Sequence, residues 1–337
     1  MQIEPPYQFI ANGLSSGNVI PFFGAAASAI YRPEGEVWQS GKPFMPFGGE
    51  LAKALAEAAG YPADDSQEKA LSDLLVAIKK LAANIPDDQA QIVLTPVVRA
   101  HLASVLNLAQ IASWAQQVAG TRDAVNVVLR KAFAVDSLPG DLHTTLAEVK
   151  DAKLYVTTNY DDLLEQALAP RKPHLIVDRG EKGLWVGISG TKLRPISPTG
   201  NALYELLNDP QTQSPSAPII FKMHGSVDKI DAKNDSYLIS EEDYVDFLGR
   251  SGGSYIPPYI TGLMTGKAFL FLGYSLEDWN IRVILRKLLK SSKSGDVRWW
   301  AIVRGRSERE RERWLASDLN VYPMDLSEFA KKLKGQL

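Results

Sequence analysis

The sequence predicts an α/β fold: a Rossmann-like parallel sheet with helices on both faces and a large helical insertion between the first and second motif strands. Three observations lead there. Strand-type runs alternate with helix-type segments along most of the chain, the mark of a parallel sheet covered by helices. Several runs are almost unbroken in apolar or β-branched residues, as strands buried on both faces must be. Three of them open into a small or polar cluster. Val19-Ile20-Pro21-Phe22-Phe23 leads into Gly24-Ala25-Ala26-Ala27-Ser28, and Leu154-Tyr155-Val156 into Thr157-Thr158-Asn159-Tyr160-Asp161. The run from Pro218 to Met223 leads into His224-Gly225-Ser226. Such a set builds a site at strand ends.

The runs read as strands are 18–23, 153–157, 174–178, 218–223, 267–272, 297–303 and 319–322. After most of them the periodicity changes. Asp161-Asp162 opens a helix through Leu163, Leu164 and Ala167; Asp278 caps another, with Ile281, Ile284, Leu285, Leu288 and Leu289 on one face. Between the first two motif strands lie about 130 residues that read as helical. Leu51 and Leu55 mark one helix, and Leu71, Leu74, Leu75, Ile78 and Leu81 a second at i, i+3, i+4, i+7 spacing. Residues 88–118 and 122–134 add more before a break at Asp136-Ser137-Leu138-Pro139-Gly140. The chain therefore reads as one domain over 1–337, with 35–150 as a helical insertion within it. Residues 179–217, rich in Gly, Pro and Ser, read as an irregular loop or short hairpin, and a last helix over 325–334 closes the domain.

Composition narrows the function. With 337 residues, 45% apolar and 23% charged, the chain can bury a substantial core. A formal net charge of −2 argues against direct nucleic-acid binding, which calls for a basic stripe. Arg309, Arg311 and Arg313 alternate with Glu308, Glu310 and Glu312 at spacings that pair them on a solvated helix face. There is no cysteine, so disulfides and thiolate-bound zinc are excluded, and the scattered histidines offer no metal site. No run approaches the 18 apolar residues of a membrane span, so the expected location is the cytoplasm.

In order and residue type the motifs resemble the sirtuin-like superfamily, which cleaves NAD at its nicotinamide–ribose bond. A fourth element agrees: Ala268-Phe269-Leu270-Phe271-Leu272 followed by Gly273-Tyr274-Ser275-Leu276-Glu277-Asp278. The resemblance runs from Val19 to about Val303. It is nearest to the bacterial sirtuin-like proteins that hydrolyse NAD, many of them in antiphage defence. Protein-deacylating sirtuins usually carry four zinc-binding cysteines between the His-Gly motif and the following Gly-x-Ser motif; here Gly225 to Gly273 holds none.

The resemblance assigns roles residue by residue. Gly24, Ala25, Ala26 and Ser28 would form the phosphate turn, whose small side chains allow close approach of backbone N–H groups. Ala26 stands where the family usually has a second glycine, and a left-handed conformation there would cost alanine about 1 kcal/mol or more. Thr158, Asn159 and Asp161 would face the reacting ribose. Asn159, neutral and both donor and acceptor, would hold a ribose hydroxyl or water; Asp161 would bond the nicotinamide amide or cap the next helix. His224, with an ordinary pKa of roughly 6.5, would be the general base. The other histidines, His101, His143 and His174, carry no motif. Gly273 and Ser275 would contact the NAD phosphates and ribose, and Asp278 would touch a ribose or cap its helix. Arg32 would hold a phosphate, close a lid or lie on the surface.

The implied activity is NAD glycohydrolysis, with NAD as substrate and no metal. Protein deacylation or ADP-ribosyl transfer is the second reading, and a catalytically silent NAD or ADP-ribose sensor the third. Depleting NAD is toxic, so the resemblance also implies control, by homo-oligomerisation or by a regulatory partner: a translocase-type ATPase, an Argonaute-like protein or a phage-derived activator.

Overall fold

The computed structural model describes residues 4–29, 31–33, 35–61, 108–198, 200–249, 256–274, 299–303 and 319–337. The helix expected over Leu71–Leu81, part of that over 88–118, and the helix after Asp278 lie outside the described residues.

A nine-stranded sheet forms the centre, in the order β11-β10-β9-β1-β2-β6-β3-β4-β5. Its central strands are β1 (Val19–Phe23), β2 (Leu154–Thr157), β3 (His174–Asp178) and β6 (Ile219–Lys222), followed by β9 (Ala268–Leu272), β10 (Trp299–Val303) and β11 (Leu319–Pro323). All neighbouring pairs among these seven are parallel. Every residue of β1, β2, β6 and β10 is buried, which is why these strands read as unbroken apolar runs rather than as alternations.

Of the loop or short hairpin expected over 179–217, the edge shows a hairpin followed by a helix. Strand β4 (Leu184–Ile188) pairs antiparallel with β3, β5 (Arg194–Ile196) pairs antiparallel with β4, and the helix lies at Ala202–Leu207. Ile188 and the β5 residues are not buried, so this margin lacks the apolar density that signals a central strand. A second, two-stranded ladder pairs β7 (Gly225–Ser226) with β8 (Ser236–Tyr237).

Two apolar layers cover the sheet. One face packs Phe22, Phe221, Phe271, Trp299 and Phe247; the other packs Phe23, Tyr155, Trp300 and Phe329 with helices Tyr7–Ser15 and Leu326–Lys334. Between β1 and β2 the described residues form helices at Gly48–Ala59, Leu108–Ala119, Asp123–Phe133 and Asp141–Ala147. The first three share a third cluster around Leu51, Leu55, Ile111, Leu129 and Phe133. The fourth instead joins the layer on the sheet through Leu142 and Leu146. No helix among the described residues is long and apolar enough to cross a membrane.

The topology fixes where a site can form. From β1 the chain moves to β2 on one side, later crosses to β9 on the other, and continues outward to β10 and β11. Strand order reverses at β1, and ligands in open α/β sheets bind beyond the carboxyl ends of strands at such a point.

Candidate active site

Four sequence motifs converge there. Gly24 follows β1, Thr158 to Asp161 follow β2, His224 lies one residue past Met223 beyond β6, and Gly273 follows β9. Contacts between these segments are tight. A Cβ on Gly24 would stand 2.9 Å from the Gly273 carbonyl oxygen and 2.9 Å from the Tyr274 ring, so no side chain fits. Gly273 itself has φ +78°, and a Cβ there would run into the Ala27 nitrogen.

The turn after β1 is closed on itself. Gly24 N–H donates to the Leu272 carbonyl at 2.9 Å, Ala26 N–H to the Gly273 carbonyl at 3.1 Å, and Ala27 N–H to the Gly24 carbonyl at 2.9 Å. Of these three alanines Ala25 is the exposed one. Ala26 lies within the short helix Ala25–Ala29 and is not among the residues with positive φ, so alanine carries no left-handed strain at that position.

Asn159 is buried and its amide is fixed. Nδ2 donates to the Gly24 carbonyl at 3.0 Å and to Ser28 Oγ at 2.9 Å. A carbonyl oxygen only accepts, which settles the amide orientation: nitrogen towards Gly24, Oδ1 away from it. The loop carrying Asn159 is tethered at every step. Thr157 Oγ1 donates to the Phe23 carbonyl and accepts from Asn159 N–H at 2.9 Å. Thr158 N–H donates to the Phe23 carbonyl at 3.2 Å, and its Oγ1 lies 3.1 Å from the Tyr274 hydroxyl. Tyr160 accepts at its carbonyl from Val227 N–H and donates its hydroxyl to the Leu238 carbonyl at 2.5 Å.

Asp161 is 4% exposed, and its Oδ1 accepts from Leu163 N–H at 3.1 Å in a local turn ahead of the helix Leu163–Leu168, whose N-cap position is Asp162. Its carbonyl accepts from Lys222 Nζ, which also pairs with Glu165 Oε1 at 2.7 Å. Burial pushes the Glu165 carboxyl up, against the opposing pull of Lys222.

His224 is 4% exposed, and its Nε2 is buried without a hydrogen-bond partner. Tyr244 and Phe247, from the helix Glu241–Gly249, stand edge-on to the imidazole at 5.6 and 5.8 Å. Burial lowers its pKa to about 3, with the Asp243 carboxylate pulling the other way. The ring is therefore neutral at pH 7. Gly225 has φ +88°, and a Cβ there would run into the Ser236 backbone, so the residue after His224 must be glycine.

Asp243 is anchored in turn. Burial pushes its carboxyl up, but Arg122 and the Ile239 and Ser240 amides outweigh that and hold it below the usual carboxylate range. Ser113 Oγ donates to Glu242 at 2.6 Å, so the helix Leu108–Ala119 and Arg122, the N-cap of the next helix, grip the helix that covers His224.

Arg32 is not brought to this group. Its guanidinium forms a two-pronged pair with Glu50, at 2.7 and 3.0 Å, and lies 4.0 Å over the Phe47 ring. Glu50 also accepts from the Trp38 and Phe47 amides, so the pair ties the loop after the first turn to the helix Gly48–Ala59. Ser275 and Asp278 lie outside the described residues. Among the described residues no cluster of three or more His, Asp or Glu could hold a metal ion.

Sequence reasoning passed over Tyr274, Lys222 and Glu165. The Tyr274 hydroxyl donates to the Phe23 carbonyl at 2.8 Å, knitting the ends of β1, β2 and β9 together. Lys222 carried a usable signal: a lone charge at the end of an apolar run must find a partner once buried.

Comparison with known proteins agrees with this layout. The SIR2-like domain family matches residues 153–324, which include the Asn159 loop, His224 and Gly273. The chain is 27% identical over 180 residues to the NAD(+) hydrolase ThsA of Enterococcus faecium, covering 53% of this chain and 29% of that protein. It is 30% identical over 153 residues to the NAD(+) hydrolase ThsA of Acinetobacter baumannii (strain 532279), covering 44% and 24%. Defense-associated sirtuin 2 of Bacillus subtilis is 25% identical over 176 residues, covering 50% and 14%. The matched region thus spans less than a third of each relative's length. With just over half of its residues matched, and its four motifs gathered at one switch point of a parallel sheet, the chain belongs to the SIR2-like domain family.

Proposed function

We propose that this chain hydrolyses the nicotinamide–ribose bond of NAD, giving nicotinamide and ADP-ribose, as an effector of antiphage defence. The observation that carries the reading is the pairing of a locked Asn159 amide with an unpartnered, buried His224 Nε2 at adjacent strand ends. With both Nδ2 donors committed, Asn159 offers a substrate its Oδ1 acceptor, suited to a ribose hydroxyl or a water. Breaking the glycosidic C–N bond sends its electron pair to the nicotinamide nitrogen and leaves an oxocarbenium-like ribose. Water then bonds to that carbon and gives up a proton, for which neutral His224 is the acceptor this reading assigns. A fixed carbonyl dipole beside developing positive charge lowers the barrier without reorganisation. The names of the ThsA relatives support NAD as the substrate.

The cover over His224 supports a latent enzyme, because a base enclosed by Tyr244 and Phe247 must be uncovered to work. Release would come from self-assembly or from a regulatory partner, of which a translocase-type ATPase, an Argonaute-like protein and a phage-derived activator are the candidates. The sensor reading loses its motive, since Ala26 is unstrained. The test is chromatography of NAD incubated with the protein, alone and with candidate activators. Equal yields of nicotinamide and ADP-ribose support hydrolysis. Bound but intact NAD under every condition contradicts it, and ADP-ribose attached to protein redirects it to transfer.

A further inference from the structure

A buried ion pair beneath the Asn159 loop has no part in the chemistry outlined above. The Lys222 and Glu165 side chains are 1% and 8% exposed, with Nζ and Oε1 2.7 Å apart. Glu165 Oε2 has no hydrogen-bond partner. Taking both charges out of water costs several kcal/mol per ion, and apolar residues of similar size commonly serve stability as well or better. Stability alone is therefore a poor reason for this pair.

Its distinctive contact is with the loop. Lys222 Nζ also donates to the Asp161 carbonyl. Thr157, Thr158, Asn159 and Tyr160 are tied to Phe23, Gly24, Ser28, Tyr274, Val227 and Leu238 by neutral hydrogen bonds. Asp161 receives a charge-assisted tether at its carbonyl, and charge-assisted bonds are about twice as strong as neutral ones; Asp162 beside it pairs with Lys229 at 2.9 Å. The Asp161 tether starts from β6, two residues before His224, so one side chain bridges the segment carrying Asn159 and the segment carrying the histidine. Glu165, on the helix that the loop enters, neutralises the ammonium. Without it a bare buried cation would oppose the positive charge that develops on the ribose.

We infer that Lys222, neutralised by Glu165, is a positioning residue that holds the Asn159 loop against the His224 strand through the Asp161 carbonyl. This rests on the NAD-cleavage reading for its catalytic consequence, though not for the tether itself.

The experiment is the double variant Lys222→Met/Glu165→Leu. It is compared with wild type in melting temperature, in amide hydrogen exchange over 157–163, and in kcat and KM for nicotinamide release. The expected result is a melting temperature at or above wild type, with at least about tenfold faster exchange in the loop. A fall of about 10²-fold in kcat should come with little change in KM, the effect of misplacing a reacting group by about 1 Å. Lys222→Arg, which keeps the charge and the donors, should recover part of kcat. Wild-type exchange and wild-type kcat in the double variant would overturn the inference. If wild type releases no nicotinamide alone or with any candidate activator while loop exchange still rises in the variant, the tether stands and the hydrolase reading falls. Should the double variant not fold, Glu165→Gln is read in its place, and unchanged loop exchange there overturns the inference.

Discussion

Gly273→Ala puts the closeness of the β1 and β9 ends to a direct test. Gly273 has φ +78°, a conformation that costs alanine about 1–2 kcal/mol. The added Cβ would strike the Ala27 nitrogen and stand 3.0 Å from the Ala26 carbonyl carbon, so the backbone after β1 must retreat. Overpacking of that kind costs about 1–3 kcal/mol. The total is about 2–5 kcal/mol, and for 337 residues the size scaling of unfolding entropy turns it into a fall of about 3–7 °C in melting temperature. The same retreat moves Gly24, whose carbonyl holds Asn159 Nδ2, so nicotinamide release should fall as well. The matched control is Gly262→Ala, an exposed helical site with nothing within 4 Å, where alanine should be neutral or stabilising. Calorimetry and a rate assay on both variants decide the matter. A Gly273→Ala protein that melts and turns over like wild type would refute the reasoning.

Other perturbations read other parts of the site. Asn159→Asp sets a carboxylate oxygen against the Gly24 carbonyl and should cost about 2–4 kcal/mol along with turnover, checked by urea unfolding and product release. Tyr274→Phe removes one hydroxyl that serves Phe23 and Thr158, and about 1–2 kcal/mol of stability on the same assay. Arg32→Ala should lower the melting temperature through the lost Glu50 pair and leave NAD affinity by calorimetric titration unchanged. Stability should also fall with acidity. His143 and His224 are buried and lowered to about 4 and about 3, whereas unfolded histidine titrates near 6.5. Below pH 6.5 the unfolded chain binds protons that the native chain refuses. Stability is thus full above that pH and is lost as pH falls towards 4, by up to about 1.4 kcal/mol per unit for each ring. A urea midpoint that stays level from pH 7 to pH 5 would contradict those burials.

The centre of the fold was legible because its strands are buried on both faces. Val19–Phe23, Ile219–Lys222 and Trp299–Val303 announce themselves as apolar runs, and the clusters after them marked the switch point. The margin was legible only as a loop or short hairpin, without its strands. Arg194–Ile196 is three residues of exposed or half-buried strand, held by pairing with β4 rather than by a pattern in its own side chains. Within the site, Gly24, Asn159 and His224 were readable as types, since each chemistry demands its residue. The roles set by long-range partners were not. Arg32 looked free for a phosphate until Glu50, 18 residues away, was seen to hold it. Lys222 and Glu165 find each other across 57 residues, and no local spacing encodes that meeting.

The central claim is that a locked Asn159 and a neutral His224 together cleave NAD. Nicotinamide release by wild type, His224→Ala and Asn159→Ala, each first shown to be folded by circular dichroism, tests it most directly. The account predicts release by wild type, alone or with an activator, that both substitutions abolish. Wild-type rates in both folded variants would contradict it.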